Sequence, residues 1–173
     1  MTDTFRTSNT ETLPRVLDAC CGARRFWFDE SDSRALFIDK RQETHIVDQG
    51  TPGTVGRAPI IVAPDCIADF TQMPFGDESF HLVVFDPPHV ARKEARGILT
   101  RKYGVLNGDW REMLQKGFVE CFRVLKPNGV LVFKWAESQF PISSILPLAQ
   151  RKPLFGHRSG KTTHWCVFMK EAA

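Results

Sequence analysis

Short apolar runs that end at an acidic residue recur along the first half of the chain. Runs of this length, bounded by small or turn-forming residues, are typical of buried strands. We predict strands within residues 15–20 and 35–39, and a third from the pieces 60–62 and 66–69, which end at Asp18, Asp39 and Asp69. If these strands are parallel, their carboxyl ends meet at one edge of a sheet and bring the three acids together.

A fourth apolar run, Phe80–Phe85, stops abruptly at the sequence Asp86-Pro87-Pro88-His89. The two prolines donate no backbone hydrogen bond and fix φ, so the chain leaves the sheet stiffly after Asp86. A carboxylate and a rigid turn at the carboxyl end of a buried strand lie where open α/β sheets bind ligands. For this stretch alone, a strand capped by an ordinary Pro-Pro loop is the alternative.

The clearest helical pattern covers residues 109–124, where apolar residues recur at i, i+3, i+4 and i+8 from Trp110. Asp109 is a suitable N-cap, and Glu112 completes a capping-box spacing. The weaker patterns predict helical turns over 25–28, a loop or small hairpin within 40–58, a strand over 130–133, a short helix over 142–150, and strands over 153–155 and 165–169. Strand, small-residue turn, brief helix and strand form a compressed βαβ unit, which implies parallel pairing with a right-handed crossover.

Length and composition limit the classes of protein to which the chain can belong. The length of 173 residues predicts one domain, over residues 14–173, and a hydrophobic fraction of 42% is ordinary for a globular protein. Residues 1–13, rich in Thr and Ser, predict a flexible leader. The five cysteines are odd in number and lack paired CxxC spacing, which disfavours disulfides and a metal site and favours a reduced, cytoplasmic setting. No apolar run reaches the roughly 18 residues of a membrane span, so we expect no membrane partner.

The spacing of the acids indicates which kind of ligand they would bind. Asp39 follows Asp18 by 21 residues, close to the ~20 at which a second-strand acid meets ribose hydroxyls in nucleotide-binding units. The alternatives are that Asp39 and Asp69 are turn residues and that Asp18 caps the short helix after it. Three acidic strand ends in succession favour a shared site over surface scatter.

Five stretches in order resemble the motifs of class I S-adenosylmethionine-dependent methyltransferases. They are Val16-Leu17-Asp18-Ala19-Cys20-Cys21-Gly22, then Asp39, then Ala68-Asp69-Phe70 with Met73-Pro74-Phe75, then Asp77-Glu78-Ser79-Phe80 leading into Asp86-Pro87-Pro88-His89, and Arg123-Val124-Leu125-Lys126-Pro127-Asn128-Gly129. The similarity runs from about residue 15 to 135 and more weakly to the end. It implies a Rossmann-like α/β fold with trimmed helices and a mostly parallel seven-stranded sheet whose last strand is reversed.

The resemblance also implies S-adenosylmethionine as cofactor. The turn containing Asp18, Ala19, Cys20 and Gly22 would hold its methionine part. Asp39 would bind the ribose hydroxyls, and Asp69 with Phe70 would contact the adenine; no metal is implied. Two residues depart from the pattern, since Cys20 and Arg24 stand where the first motif usually has glycines.

The Asp-Pro-Pro-aromatic form of the fourth motif resembles members that methylate an exocyclic amino group, most often adenine N6. There Asp86 and the Pro87 carbonyl would accept hydrogen bonds from the amine, and Pro88 would keep the turn rigid. His89 replaces the larger ring expected to stack on a flipped base. A loop histidine without a role is the alternative for His89.

A basic stretch follows this motif directly. Residues 90–118 hold seven basic and three acidic residues, a net charge of +4 against +3 for the whole chain. Such a patch with one aromatic residue suits a phosphate backbone, and its candidate substrate-binding residues are Arg92, Lys93, Arg101, Lys102 and Tyr103. A solvated surface loop is the alternative.

The sequence therefore predicts an enzyme that methylates an exocyclic amine of a nucleic-acid base, with adenine N6 in DNA slightly ahead of RNA. A methyltransferase for a protein amide or small amine is the nearest alternative. A non-catalytic module that lends its cofactor pocket to a partner subunit is a different class, and a homodimer also stays open. A nicotinamide-dependent oxidoreductase is disfavoured because Cys20 and Arg24 break the three-glycine fingerprint.

Overall fold

The computed structural model describes residues 13–48, 57–90, 101, 104–106 and 108–172. The strands are β1 (Val16–Asp18), β2 (Ala35–Asp39), β3 (Glu43–Asp48), β4 (Arg57–Val62), β5 (Cys66–Ile67), β6 (Phe80–Phe85), β7 (Leu125–Ala136), β8 (Phe155–Ser159) and β9 (Thr163–Met169). Helix α1 spans Trp110–Val124, and the short helix α2 (Ile142–Ile145) continues into a 3-10 helix over Leu146–Ala149.

Seven strands form one sheet in the order β5-β2-β1-β6-β7-β9-β8. The pairs from β5 to β7 are parallel, and β9 runs antiparallel to both β7 and β8. This arrangement confirms the predicted mostly parallel seven-stranded sheet with a reversed last strand. Because β1 pairs in parallel with both β2 and β6, with Asp18 opposite Phe37 and Val84, the carboxyl ends of these strands bring Asp18, Asp39 and Asp86 to the same edge.

One face of the sheet carries most of the core, beneath helix α1. Asp109 caps the helix by accepting the backbone N–H groups of Arg111 and Glu112, as predicted. Gly117 lets the helix approach the sheet closely, since a Cβ there would lie 2.7 Å from the ring of Phe85. The fully buried side chains of this core include Phe80, Phe85, Leu114, Phe118, Leu125, Phe133, Trp135 and Phe168.

The connection from β1 to β2 contains no helix. The predicted helical turns over residues 25–28 are wrong, because the chain there forms only successive turns. The backbone N–H of Arg24 bonds to Cys21, and that of Trp27 bonds to Arg24. Aromatic packing takes the place of a helix, with the Trp27 ring edge-on to Phe37 at 4.9 Å.

The predicted third strand is divided between a two-stranded hairpin and the main sheet. Residues 60–62 belong to β4, which pairs with β3 outside the main sheet, so their assignment to the third sheet strand is wrong. Only Cys66–Ile67 joins the sheet, beside β2. The buried Ile60 and Val62 occupy one side of the hairpin, and Ile61 is exposed on the other, an alternation that suits a strand equally well in either place.

Further boundaries differ by a few residues. Strand β7 is longer than the predicted 130–133, and residues 126–129 bulge from it where the register with β6 shifts. Strand β8 begins at Phe155, two residues after the predicted start. Within the described ranges, no helix is both long and apolar enough to cross a membrane.

Arg24 adopts a backbone conformation that explains the expected glycine at its position. Its φ is +53°, in the left-handed region where a Cβ costs roughly 1–2 kcal/mol. The guanidinium offsets this strain, since it donates to the carbonyls of Glu30 and Ala63 at 2.6 and 2.7 Å and pairs with Asp65 at 2.9 Å. It also stacks on the Phe37 ring at 3.9 Å.

Two substitutions separate strain from contacts at this position. We expect Arg24→Ala to lose the contacts and keep the strain, and Arg24→Gly to lose the contacts and release it. Both should destabilise the fold, with the glycine variant about 1 kcal/mol more stable than the alanine variant by chemical denaturation. An alanine variant as stable as the glycine variant would show that no strain is stored at residue 24.

Candidate active site

Three carboxylates are buried together at the carboxyl edge of the central strands. Asp18 ends β1, Asp39 ends β2 and Asp86 follows β6, with exposed fractions of 0%, 6% and 4%. Burial of an ionised carboxylate is strongly unfavourable unless hydrogen bonds or opposite charges compensate it. Each acid here has its own donors, although Asp86 Oδ1 has no hydrogen-bond partner among the described residues.

Asp18 lies under the crossover to β2. The Trp27 indole Nε1–H donates to Oδ2 at 2.8 Å, and the Cys20 backbone N–H donates to Oδ1 at 3.3 Å. Burial, with smaller contributions from the charges of Asp86 and Asp39, raises the pKa of Asp18 to about 7, against the lowering effect of these two hydrogen bonds. Asp18 therefore exchanges a proton near neutral pH.

Asp39 accepts four hydrogen bonds. The Gly22 backbone N–H donates to Oδ2 at 3.0 Å, and the Arg41 backbone N–H donates to Oδ1 at 2.9 Å. The Arg41 guanidinium adds Nε to Oδ1 at 3.1 Å and a terminal nitrogen to Oδ2 at 3.2 Å. Since a carboxylate has about four lone-pair positions, any other donor must replace one of these.

Arg41 connects this acid to two further segments. Its guanidinium pairs with Glu43 of β3 at 3.0 Å and donates to the backbone carbonyl of Arg101 at 3.2 Å. Arg101 is the only predicted substrate-binding residue among the described positions, and it is half-buried. Arg92, Lys93, Lys102 and Tyr103 lie outside the described residues, so the basic patch stays a prediction.

A cavity of about 230 Å³ opens beside Asp39. Phe70 supplies an apolar wall, as expected for a ring-binding site, and Asp69 takes no part in the lining. Asp69 instead accepts from the Thr71 backbone N–H and hydroxyl at 2.9 and 2.8 Å. The lining residues are Ala19, Cys20, Asp39, Lys40, Arg41, Glu43, Phe70, Pro88, Gly104 and Val105. We call this the cofactor cavity, after the role that the sequence motifs imply for its residues.

Cys20 is a neutral part of this lining. Burial, then the charges of Asp18, Asp86 and Asp39, raise the pKa of its thiol well above the ordinary value. A thiol that stays protonated is a poor nucleophile. Its place at an expected glycine position is therefore compatible with a binding role and gives no sign of covalent chemistry.

Asp86 is held between a lysine and a histidine. Lys134 Nζ donates to Oδ2 at 2.6 Å, and His89 Nε2 lies 3.0 Å from Oδ1. The His89 ring packs edge-on to Trp135 at 4.9 Å between ring centroids. Pro87 and Pro88 are buried in the same turn. The predicted catalytic motif is thus a closely packed cluster, in which His89 contacts the carboxylate directly.

A second cavity, of about 180 Å³, adjoins this cluster. Gly104 lines both cavities, and Pro88 and His89 line one each, so the Asp86 turn lies between the two. The residues lining the second cavity are His89, Val90, Gly104, Lys134, Ala136, Ser138 and Thr163. We call this the acceptor cavity.

The structure brings together most of the predicted site residues. Around the Asp86 cluster and the cofactor cavity lie Asp18, Ala19, Cys20, Gly22, Asp39, Phe70, Asp86, Pro87, Pro88 and His89. The sequence reasoning missed the roles of Trp27, Arg41 and Lys134 as donors to the three acids. Only Arg41 had a local signal, because it follows Asp39 by two residues.

The raised pKa of Asp18 makes stability depend on pH. Its folded pKa of about 7 exceeds the unfolded value of about 3.9, so the folded state binds the proton more tightly. Its contribution is therefore fully present at low pH and is lost as the pH rises towards 7. We expect Asp18→Asn to gain about 2–3 kcal/mol of stability relative to the wild type between pH 5 and pH 8.

Chemical denaturation at several pH values measures this difference. Asp29→Asn is a suitable control, because Asp29 is exposed and hydrogen bonds from Ser31 lower its pKa. Its difference from the wild type should stay constant over the same range. A constant difference for Asp18→Asn as well would show that Asp18 does not titrate there.

Comparisons with known proteins bear on the fold. No protein-family model matches this chain, and no curated protein matches it. The PH0226 protein from Pyrococcus horikoshii is 13% identical with a TM-score of 0.61, over 90% of this chain and 81% of that one. The 1,6-didemethyltoxoflavin-N1-methyltransferase of Burkholderia thailandensis, solved with 1,6-didemethyltoxoflavin and S-adenosylhomocysteine, is 14% identical with a TM-score of 0.50, over 91% and 71%.

At these identities the likeness concerns the arrangement of elements. Strand order, the reversed β9 and the position of the acidic edge agree with the sequence motifs described above. The chain has the α/β fold of class I S-adenosylmethionine-dependent methyltransferases.

Proposed function

We propose that this chain is an S-adenosylmethionine-dependent methyltransferase that acts on an exocyclic amino group of a nucleic-acid base. The proposed target is adenine N6, with DNA ahead of RNA. The observation that carries the proposal is the turn Asp86-Pro87-Pro88-His89, which lies between two adjoining cavities at the carboxyl edge of the sheet. One cavity suits a cofactor and the other an acceptor ring.

The cofactor cavity has the chemistry that S-adenosylmethionine requires. Phe70 offers an apolar surface to the adenine, and Asp39 offers a carboxylate to the ribose hydroxyls once Arg41 releases part of it. Ala19 and Cys20, which belong to the turn that would hold the methionine part, line the same cavity. S-adenosylmethionine, when bound, supplies an electrophilic methyl group.

The chain's own contribution to transfer is positioning and electrostatics. Asp86 would accept a hydrogen bond from the acceptor amine, and the Pro87 carbonyl would accept another. These bonds orient the nitrogen lone pair, and the buried site makes each bond stronger than in water. Lys134 and His89 hold the Asp86 carboxylate in place, so little reorganisation is needed during the reaction.

A nucleic-acid partner is supported by charge at the same edge. Residues 150–170 contain five lysines and arginines and no acidic residue. Of these, Arg158 and Lys161 are exposed at the turn between β8 and β9, next to Thr163 of the acceptor cavity. With the basic stretch after His89, they would contact backbone phosphates on either side of an extruded base.

A small heterocyclic amine is the second candidate substrate. The acceptor cavity encloses about 180 Å³, and Val90 and Ala136 contribute to its lining. A cavity of that size suits one ring system, whether that ring is free or part of a nucleic acid. The two substrates differ in whether the basic surface is needed.

Methyl transfer to defined pools tests the proposal. The chain is incubated with S-adenosylmethionine labelled in its methyl group and with DNA, RNA, protein or free nucleosides, and the products are digested and analysed by mass spectrometry. We expect labelled N6-methyladenine, with DNA above RNA. We expect Asp86→Asn to lower turnover by about 10²–10³-fold with nearly unchanged cofactor affinity by calorimetry.

Asp77→Asn is the matched control for the Asp86 variant. Asp77 precedes the same strand at its other end, and its ion pair with Arg123 leaves its side chain 75% exposed. This variant should keep wild-type turnover. Cofactor binding without transfer to any pool would favour a non-catalytic module, and wild-type turnover in Asp86→Asn would refute the amino-methyltransferase assignment.

A further inference from the structure

Lys134 occupies the boundary between the Asp86 carboxylate and the acceptor cavity. Its ammonium donates to Asp86 Oδ2 at 2.6 Å, and the same side chain lines the cavity. The Asp86 side chain is 2% exposed, against 16% for Lys134 and 10% for His89. A ring that enters the cavity therefore meets the lysine and the histidine before it reaches the carboxylate.

The ammonium is held at a fixed place. It lies 5.5 Å from the centre of the Phe26 ring and 5.7 Å from that of Trp165, in addition to its bond with Asp86. Phe26 and Trp165 pack edge-to-face at 5.7 Å. Cation–π attraction to the two rings and the charged hydrogen bond to Asp86 together restrict a side chain that is otherwise flexible.

Lys134 and Asp86 together present a hydrogen-bond donor beside an acceptor. A lysine ammonium can only donate and an ionised carboxylate can only accept. The complementary partner carries an acceptor atom next to an amino group on one edge. Adenine has this edge at N1 and N6, and cytosine has it at N3 and N4.

We propose that Lys134 is a specificity-determining residue, which donates a hydrogen bond to the ring nitrogen adjacent to the methylated amine. Adenine N1 would lie against Lys134 while N6 lies against Asp86. The inference rests on the proposed function and deepens it, because it states what the acceptor must carry besides an amine. The ring nitrogen fixes the rotation of the base in the cavity, and that rotation directs the amine towards the methyl donor.

Two substrate pools, each combined with each enzyme variant, test this contact. The substrates are two randomised single-stranded DNA pools, one with adenine and one with 1-deazaadenine, which keeps the amine and lacks N1. The enzymes are the full chain as wild type, as Lys134→Met and as Lys134→Arg. Lys161→Met is the control, because it removes a lysine at the same edge that does not line the cavity. Transfer of a labelled methyl group gives kcat/KM for each combination.

We expect the wild type to prefer adenine over 1-deazaadenine by about 10- to 100-fold, the range of a hydrogen bond from a charged donor. Lys134→Met should lower kcat/KM on both pools, because it releases Asp86, but the loss on adenine should exceed the loss on 1-deazaadenine by a similar factor. Lys134→Arg, which keeps a donor, should keep part of the preference for adenine. Lys161→Met, which removes a proposed phosphate contact, should change kcat/KM equally on both pools and leave that preference unchanged.

Two results would overturn the inference. One is a wild type that does not distinguish the two pools, and the other is a Lys134→Met variant that loses the same factor on both. The second result would identify Lys134 as a structural partner of Asp86 alone. Transfer to neither pool by the wild type would instead overturn the proposed function, and this inference with it.

Discussion

The burial of three carboxylates at one edge of the sheet is the constraint on which the rest of the structure depends. Asp18, Asp39 and Asp86 lie at the ends of adjacent strands, and each would be costly to bury without partners. Trp27 comes to Asp18 from the crossover, and Arg41 comes to Asp39 from the segment after β2. Segments with little regular structure are thereby fixed to the sheet through their bonds to the acids.

The same bonds occupy, in the free protein, two of the carboxylates proposed to bind ligands. The Arg41 guanidinium donates to the Asp39 carboxylate, where a ribose would bind. The Lys134 ammonium donates to the Asp86 carboxylate, where an amine would bind. At Asp39 a ligand must therefore exchange one donor for another, whereas at Asp86 it can donate to Oδ1, which has no hydrogen-bond partner among the described residues. Such an exchange lowers apparent affinity, but it avoids an uncompensated buried charge in the free protein. Under the proposed function, both cationic side chains therefore take part in ligand recognition.

Much of the fold was predictable because strand ends and turns carry strong local signals. The run ending at Asp86, the cap at Asp109 and the apolar period of helix α1 each specify an element without tertiary context. The crossover was not predictable, since it is held by a side-chain hydrogen bond from Trp27 to Asp18 in place of helix packing. Residues 60–62 were misplaced because an alternating strand looks the same in a hairpin and in a sheet. Lys134 gave no signal either, because its partner is 48 residues away.

A structure of the chain bound to S-adenosylhomocysteine is the most direct test of this account. It should show the ribose hydroxyls on Asp39, the adenine against Phe70, and the Arg41 guanidinium displaced from the carboxylate. The Gly22 backbone bond to Asp39 should persist. A ligand bound elsewhere, or a ribose placed away from Asp39 with Arg41 still on that carboxylate, would contradict the assignment of this edge as the cofactor site.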